Sequence, residues 1–206
     1  MNTIERLWLE CADPVEFADA YLGHVADLLG SLDRSEVAGF IAELEKARRG
    51  GGTVFIAGNG GSAATASHMA NDLGVGTRAD GDLGAVRAVA LTDGVATMTA
   101  TANDHGYGAV FVRQLEVHYR PGDRLVVISA SGNSPNVVAA AEWVRERNGT
   151  VIGLLGFDGG RLRSLCDVVV HVKTAAGEYG PVEDVHVVVR HLVWGWLQRR
   201  TNKEHE

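Results

Sequence analysis

Five short apolar runs alternate with helix-like stretches between residues 53 and 172, and this alternation limits the possible fold more than any other feature. Each run is apolar throughout and rich in β-branched residues, which is typical of strands covered on both faces of a parallel sheet. The sequence therefore predicts an α/β fold of three layers, α/β/α, in which right-handed crossovers connect five parallel strands. We predict strands at residues 53–57, 86–91, 124–129, 150–155 and 168–172, and helices at residues 63–73, 95–102, 109–118, 135–148 and 161–165.

Further helices are predicted on both sides of this core. Asp13 and Asp33 stand at N-cap positions, and Pro14 occupies the first helical position after Asp13. The last segment, residues 182–200, is apolar on nearly every face, and such a helix is buried, in a small chain often between subunits. We predict one domain over residues 1–206, with oligomerisation helices in residues 1–50 and the α/β core in residues 53–200.

Charge and cysteine content argue against several classes of protein. The 206 residues have a formal net charge of −7 and a pI near 5.6, which argues against a nucleic-acid or membrane-surface binder. Cys11 and Cys166 form neither a metal-binding spacing nor a disulfide framework, which fits a reducing cytoplasm. Since there is also no signal-peptide pattern and no apolar run of about 18 residues, we predict a cytoplasmic protein without a membrane span.

A glycine-rich turn joins the first predicted strand to the helix that follows it. The turn reads Gly58-Asn59-Gly60-Gly61-Ser62, and Ser62 is the predicted N-cap of the helix. A strand, a glycine-rich turn and a helix direct unpaired backbone N–H groups and a helix dipole at an anion. The turn is therefore a candidate phosphate site, although a plain tight connection is about equally compatible with it when it is taken alone.

The same turn also matches a dinucleotide-binding fingerprint loosely, as Gly58-x-Gly60-x-x-Ala63. That fingerprint requires an acidic residue about 20 residues further on, at the end of the next strand. Asp93 lies too far along the chain for this role, and a loop rich in Gly and Asp at residues 79–84 intervenes. Because the chain is also too short for a second, substrate-binding domain, a nicotinamide-dependent oxidoreductase is the weaker hypothesis.

A second candidate site follows the third predicted strand. Its sequence is Ser129-Ala130-Ser131-Gly132-Asn133-Ser134-Pro135, in which Ser134 is the predicted N-cap and Pro135 the first helical residue. Most serine clusters are ordinary loops. Both turns nevertheless lie at the carboxyl ends of parallel strands, where ligands of open α/β sheets bind. Together the two turns favour a phosphorylated ligand.

These two turns resemble those of the sugar isomerase (SIS) domain family, and the chain is similar to its phosphoheptose isomerase branch from about residue 53 to residue 191. The resemblance implies an aldose–ketose isomerase that converts sedoheptulose 7-phosphate into a D-glycero-heptose 7-phosphate through an enediol. It also implies a homotetramer with zinc in the site. The substrate-binding residues that it implies are Asn59, Gly60, Gly61, Ser62, Asp93, Ser129, Ala130, Ser131, Ser134 and Glu183.

The resemblance also implies an acid–base pair and a metal site. His68 and Asp72 lie four residues apart and so share one face of the helix that follows the first turn. With Glu183 and His191 from the C-terminal helix, they offer the nitrogen and carboxylate ligands that zinc accepts. Isomerisation requires a base at C1 and an acid at the carbonyl oxygen, for which Asp72 and His191 are the candidates, with the metal polarising the carbonyl.

Five positions depart from the family pattern, and two of them, Gly180 and Pro181, replace an acidic and a basic residue just before Glu183. Asp72 is one methylene shorter than the Glu of the family, Glu183 replaces a neutral Gln, and Ala130 removes a hydroxyl from the second turn. A non-catalytic SIS protein that binds a sugar phosphate, or that associates with a replication initiator, is therefore the alternative hypothesis. His186 lies three residues after Glu183 and could form a competing metal pair, and we interpret it as structural. An isolated pair such as His68 and Asp72 is also common on ordinary helix surfaces.

Overall fold

The computed structural model describes residues 1–77 and 84–203, except for the side chains of residues 200–203. The predicted loop at residues 79–84 lies outside these residues apart from Gly84. Within them, nine α-helices and five strands follow the predicted order, with one 3-10 helix at Tyr107–Ala109. The helices are α1 (Thr3–Glu10), α2 (Pro14–Ser31), α3 (Arg34–Arg49), α4 (Gly61–Gly74), α5 (Val95–His105), α6 (Val112–His118), α7 (Pro135–Arg145), α8 (Leu162–Leu165) and α9 (Tyr179–Lys203), and the strands are β1 (Thr53–Gly58), β2 (Arg87–Ala90), β3 (Arg124–Ser129), β4 (Thr150–Leu155) and β5 (Val168–His171).

The five strands form one parallel sheet in the order β2-β1-β3-β4-β5, with helices on both faces, which confirms the predicted fold class. The chain leaves β1 toward one edge of the sheet and leaves β3 toward the other. The carboxyl ends of β1 and β3 are therefore a topological switch point, at which open α/β sheets form a binding crevice. Gly58 and Ile128 are paired at this end, which brings the two predicted turns next to each other.

Helix starts follow the local capping chemistry in the N-terminal region. The Asp13 carboxylate accepts hydrogen bonds from the backbone N–H groups of Val15 and Glu16, and the Asp33 carboxylate accepts one from Ser35. These contacts satisfy N–H groups that have no partner within the helix. The two predicted N-caps are thereby confirmed.

The sheet is buried on both faces at its centre and less completely at its two edge strands, since Val168 and Val169 of β5 are also only half-buried. Strands β1, β3 and β4 are almost fully buried, whereas Arg87 and Val89 of β2 are exposed. The prediction of complete burial was therefore wrong for β2. The reason is that β2 is an edge strand with one neighbour, so its apolar residues are less completely covered.

Helix α9 is buried along one face and exposed along another. Val185, Val189 and Val193 belong to the core, whereas Leu192 and Trp196 are about half exposed. The exposed face forms one wall of an apolar groove of about 630 Å³ that α2 and α3 complete. In the part of the chain with a described structure, no helix is both long enough and apolar enough to cross a membrane.

Candidate active site

The first turn directs the amino end of α4 into a crevice at the end of β1. Gly60 has a φ of +54°, a conformation that L-residues with a side chain rarely adopt, and it is the N-cap of α4. The prediction that Ser62 is the N-cap was therefore wrong, because the helix begins two residues earlier than predicted, at Gly61 instead of Ala63. Ser62 lies in the first helical turn, where it is almost fully buried and its backbone N–H has no helical partner.

The second turn is closed by its own serine side chains. The backbone N–H of Gly132 donates to Ser129 Oγ at 3.1 Å, and Ser129 Oγ lies 3.4 Å from Ser134 Oγ. Ser134 is the N-cap of α7 and Pro135 its first residue, as predicted. The amino ends of α4 and α7 thus both face the switch point, and each contributes the positive end of a helix dipole.

The two turns meet in one cavity of about 200 Å³. This volume is below that of most complete small-molecule sites, which corresponds to room for a phosphoryl end rather than for a whole sugar. Among the described residues, its lining has no basic side chain, so an anion there would depend on hydroxyl groups, backbone N–H groups and helix dipoles. The lining includes nine of the predicted substrate-binding residues, Asn59, Gly60, Gly61, Ser62, Ser129, Ala130, Ser131, Ser134 and Glu183, together with Ile128 and Tyr179.

The side chain of Asn59 ties the two turns together. Its amide pairs with the amide of Asn136 through two hydrogen bonds of 2.9 Å, and Asn59 Oδ1 also accepts one from the Tyr107 hydroxyl at 2.9 Å. Asn136 lies at the start of α7 and is almost fully buried. Asn59 therefore lines the cavity as predicted, but its side-chain amide is engaged in holding the first turn against α7.

The carboxylate of Glu183 lies over the amino end of α4. A Cβ added to Gly61 would overlap this carboxylate, so only glycine leaves room for it. Burial raises the pKa of Glu183, and the neighbouring Asp184 carboxylate raises it further. Glu183 is thus the one acidic residue in the lining of a cavity that is otherwise suited to an anion.

A second group of polar side chains lies further along the same two helices. Donor atoms of His68, Asp72 and His191 all lie within 4.8 Å of one another, which is a geometry that could hold a metal ion. His68 Nε2 is 3.6 Å from Asp72 Oδ1, and the two imidazole rings are 5.4 Å apart and nearly perpendicular. His68 and His191 are exposed, whereas Asp72 is buried. Three of the four predicted zinc ligands therefore come together.

Glu183, the fourth predicted ligand, is not part of this group. It precedes His191 by eight residues on α9, which corresponds to about 12 Å along the helix axis. Helices α4 and α9 run in the same direction, since Gly61 lies beside Glu183 at one end and Gly76 beside Trp194 at the other. The cavity and the His68–Asp72–His191 group are thus separate sites along one helix pair.

A buried arginine that the sequence analysis did not identify contacts the His68–Asp72–His191 group from the protein interior. Arg190 is only 1% exposed, forms an ion pair with Asp72 through Nη1, and donates from Nη2 to His191 Nε2 at 2.7 Å. Burial lowers the pKa of Arg190, while Asp72 acts in the opposite direction, and an arginine remains protonated at neutral pH. Desolvation, and then the charge of Arg190, lower the pKa of His191.

Asp93 lies outside both sites. It follows β2, as predicted, but it is exposed and does not line the cavity. Its carboxylate accepts a hydrogen bond from the Ser67 hydroxyl on α4 and lies 3.4 Å from the Thr92 hydroxyl. The structure thus connects the end of β2 to α4 through Asp93 and does not bring it to the other candidate residues.

Comparisons with known proteins agree with this architecture. The SIS domain family profile matches residues 20–156. The phosphoheptose isomerase of Rhodospirillum rubrum is 41% identical over 150 residues, which cover 73% of this chain and 78% of that protein. The phosphoheptose isomerase of Chlorobaculum parvum is 35% identical over 173 residues, which cover 84% and 82% respectively.

Solved structures give the same result at the level of the fold. The phosphoheptose isomerase of Neisseria gonorrhoeae superposes with a TM-score of 0.80 at 28% identity, and the match covers 91% of this chain and all of that one. A phosphoheptose isomerase from Francisella tularensis superposes with a TM-score of 0.77 at 22% identity, which at this identity supports the fold alone. The chain therefore belongs to the SIS domain family and, within it, to the phosphoheptose isomerase branch.

Proposed function

We propose that this protein is a phosphosugar aldose–ketose isomerase that converts sedoheptulose 7-phosphate into a D-glycero-heptose 7-phosphate. The observation that carries this proposal is the meeting of two hydroxyl-lined turns in one cavity, in a chain whose relatives are phosphoheptose isomerases. Both turns lie at helix amino ends, which favour a phosphoryl group without any basic side chain. The proposed phosphate ligands are the hydroxyls of Ser62, Ser129, Ser131 and Ser134.

The reaction itself is assigned to Asp72 and His191. Asp72 takes a proton from C1 of the ketose and later returns it to C2, while the carbonyl oxygen gains a proton and the C1 hydroxyl loses one, so that the atoms balance. His191 donates a proton to the carbonyl oxygen. Because Arg190 can only donate, His191 Nε2 must accept, and the ring proton resides on Nδ1, from which it can donate to that oxygen.

The zinc expectation has weaker support than the acid–base assignment. His68, Asp72 and His191 are the group that could hold a divalent cation. However, Arg190 engages the Nε2 lone pair of His191 and one of the two carboxylate oxygens of Asp72, and Glu183 lies in the cavity instead. This arrangement does not fit the predicted four-ligand site, so zinc stays a prediction and no step of the mechanism depends on it.

The distance between the cavity and the His68–Asp72–His191 group suggests that one reaction uses residues from two chains. Ser62 and Asp72 are ten residues apart on α4, or about 15 Å along its axis. Eight bonds of about 1.5 Å each connect C1 of a heptose 7-phosphate to its phosphorus, and together they span less than about 12 Å. We therefore propose that the cavity of one chain holds the phosphate while the acid–base group of a neighbouring chain acts on the carbonyl end.

This arrangement fits the predicted cytoplasmic homotetramer. The acid–base group opens onto the surface beside Leu192, and Leu192 and Trp196 belong to the apolar groove that α2, α3 and α9 line. An exposed apolar groove of this kind is typical of a subunit interface. We assign oligomerisation to this groove and to residues 1–50, and the free thiols of Cys11 and Cys166 fit a reducing compartment.

The proposal is tested by NMR with sedoheptulose 7-phosphate in D₂O. We expect loss of a C1 proton signal through exchange and the appearance of an aldose product. Inorganic phosphate should inhibit competitively, because it fills the same cavity. Absence of both turnover and exchange at C1, with a folded protein that still binds phosphate, would remove the enzymatic assignment for this substrate.

One observation favours the alternative, a non-catalytic SIS protein that binds a sugar phosphate or associates with a replication initiator. Asp72, the proposed base, is already engaged in an ion pair with Arg190, which could make it a structural residue. A binding protein of this kind would retain phosphate affinity, would exchange no proton at C1, and would bind the sugar equally well as Asp72→Asn. The isomerase would instead lose proton exchange in that variant.

A further inference from the structure

Arg190 is the least expected residue next to the acid–base group. Most of its surroundings on α9 are apolar, since Val185, Val189 and Val193 lie in the core. A buried arginine requires a counter-ion and hydrogen-bond acceptors, because an unpaired buried charge is strongly unfavourable. Asp72 supplies the charge from α4, 118 residues earlier in the chain.

The contacts of Arg190 use the lone pair of His191 Nε2 and one of the two carboxylate oxygens of Asp72, whose Oδ1 faces His68 instead. Its Nη1 donates to Asp72 Oδ2, and its Nη2 donates to His191 Nε2 at 2.7 Å. A guanidinium has five donor hydrogens and no acceptor, so the Nε2 lone pair points at Arg190. An imidazole nitrogen binds a metal through that same lone pair. One side chain thus occupies one donor atom of Asp72 and one of His191.

The charge of Arg190 also disfavours the binding of a metal ion. A divalent cation among His68, Asp72 and His191 would lie within a few ångströms of a buried, permanent positive charge. In a poorly solvated position this repulsion is screened much less than at the surface. At the same time, the Asp72 carboxylate already has its counter-charge, so the group lacks the uncompensated negative charge that attracts a cation.

We propose that the Arg190 guanidinium takes the place of a divalent cation in this chain, so that the acid–base group works without a metal. Arg190 holds the Asp72 carboxylate and fixes His191 with its proton on Nδ1, and it is a positioning residue because its burial keeps it from the substrate. The catalytic part of this inference rests on the proposed function, whereas the metal-binding part does not.

The experiment measures metal binding directly and separately from turnover. The purified full-length chain is titrated with Co²⁺, whose visible spectrum reports coordination, and zinc content is determined by mass spectrometry after incubation with Zn²⁺. The wild type should bind neither metal stoichiometrically, and chelator treatment should leave any turnover unchanged. Arg190→Leu frees both donor atoms and should raise the affinity for Co²⁺ by at least about tenfold.

Three further variants make the result specific. Arg199→Leu removes the same charge from an exposed position on α9, and it should bind Co²⁺ no better than the wild type does. His68→Ala in the Arg190→Leu background should abolish the gained Co²⁺ spectrum. Arg190→Lys keeps the charge but cannot reach both partners with one ammonium group, so it should exclude the metal while turnover falls.

Several outcomes would overturn the inference. One is a wild-type chain that binds Zn²⁺ or Co²⁺ stoichiometrically through His68 and His191; another is a folded Arg190→Leu variant that gains no metal affinity. Folding of each variant is checked by circular dichroism and by retained binding of inorganic phosphate at the cavity. Should Arg190→Leu not fold, the wild-type and Arg190→Lys titrations decide the matter. Failure of the isomerase assay alone would overturn the proposed function and leave the metal result standing.

Discussion

Asp72 has partners on two helices, because it contacts His68 on its own helix and Arg190 on α9. Its side chain is buried, yet it borders two exposed imidazoles. In the proposed mechanism the Asp72 carboxylate contacts the substrate, while its ion pair with Arg190 fixes its orientation. Because Asp72 balances the buried charge of Arg190 and is the proposed base, its replacement should affect both stability and catalysis.

We expect Asp72→Asn to lower kcat by about 10²–10⁴-fold, because the variant cannot accept a proton from C1. The apparent affinity for inorganic phosphate should not change, since the cavity lies about 15 Å away along α4. Steady-state kinetics and phosphate titration measure the two effects. Asp19→Asn, at an exposed position on α2, is the matched control. A kcat within threefold of the wild type would remove Asp72 from the mechanism.

Individual residues were predictable where a short motif specified them. The serines and glycines of the two turns were identified because turn chemistry and helix capping depend on neighbours in the sequence. Arg190 was not, since its partner Asp72 is 118 positions away and a single arginine in a helix usually faces solvent. Ser62 was assigned to the N-cap because serine favours that position, whereas Gly60 fulfils it through its positive φ.

At the scale of elements, α9 connects the core, the cavity and the acid–base group. Tyr179 and Glu183 line the cavity, His191 belongs to the second group, and His186 lies between them in the core. His186 is fully buried, and burial lowers its pKa from 6.5 to about 4. The protein therefore carries a neutral imidazole at the centre of this helix.

The burial of His186 predicts a pH dependence of stability. The unfolded chain binds a proton near pH 6.5, whereas the folded chain does so only near pH 4. Stability is therefore complete above pH 6.5 and decreases as the pH falls toward 4, because protons then favour the unfolded state. Between pH 7 and pH 5, the free energy of unfolding should fall by about 2 kcal/mol more in the wild type than in His186→Leu.

Urea unfolding at the two pH values measures this difference. His105→Leu removes an exposed histidine from α5 and should show the same pH dependence as the wild type. Burial also lowers the pKa of His171, so part of the acid sensitivity should remain in His186→Leu. Equal losses in the wild type and His186→Leu would contradict the assignment of His186 as the main group.

The secondary structure was largely predictable, because apolar runs and caps are local. All five strands and their order along the chain were foreseen, but the pairing order required the three-dimensional structure. The C-terminal helix was predicted from residue 182, yet it begins at Tyr179. Gly180 and Pro181 resemble helix breakers, but the first turn of a helix needs no N–H from proline, so both are accommodated there.

At the scale of the whole molecule, the exposed apolar face of α9 predicts association. We expect Leu192→Glu to dissociate the proposed tetramer, because it places a charge in the groove between α2, α3 and α9. Light scattering during gel filtration measures the mass. Val117→Glu, at an exposed apolar position on α6, should leave the mass unchanged. A Leu192→Glu protein with the mass of the wild type would exclude this face as the interface.

The spacing along α4 has a consequence for how the enzyme responds to its own concentration. In the proposed two-chain arrangement, every chain carries a phosphate cavity and a His68–Asp72–His191 group, but the two sites of one chain do not act on the same heptose. Dilution that separates the chains would therefore abolish the activity of every chain without unfolding it. Specific activity would then follow assembly, and a cell could regulate flux through the abundance of the protein alone.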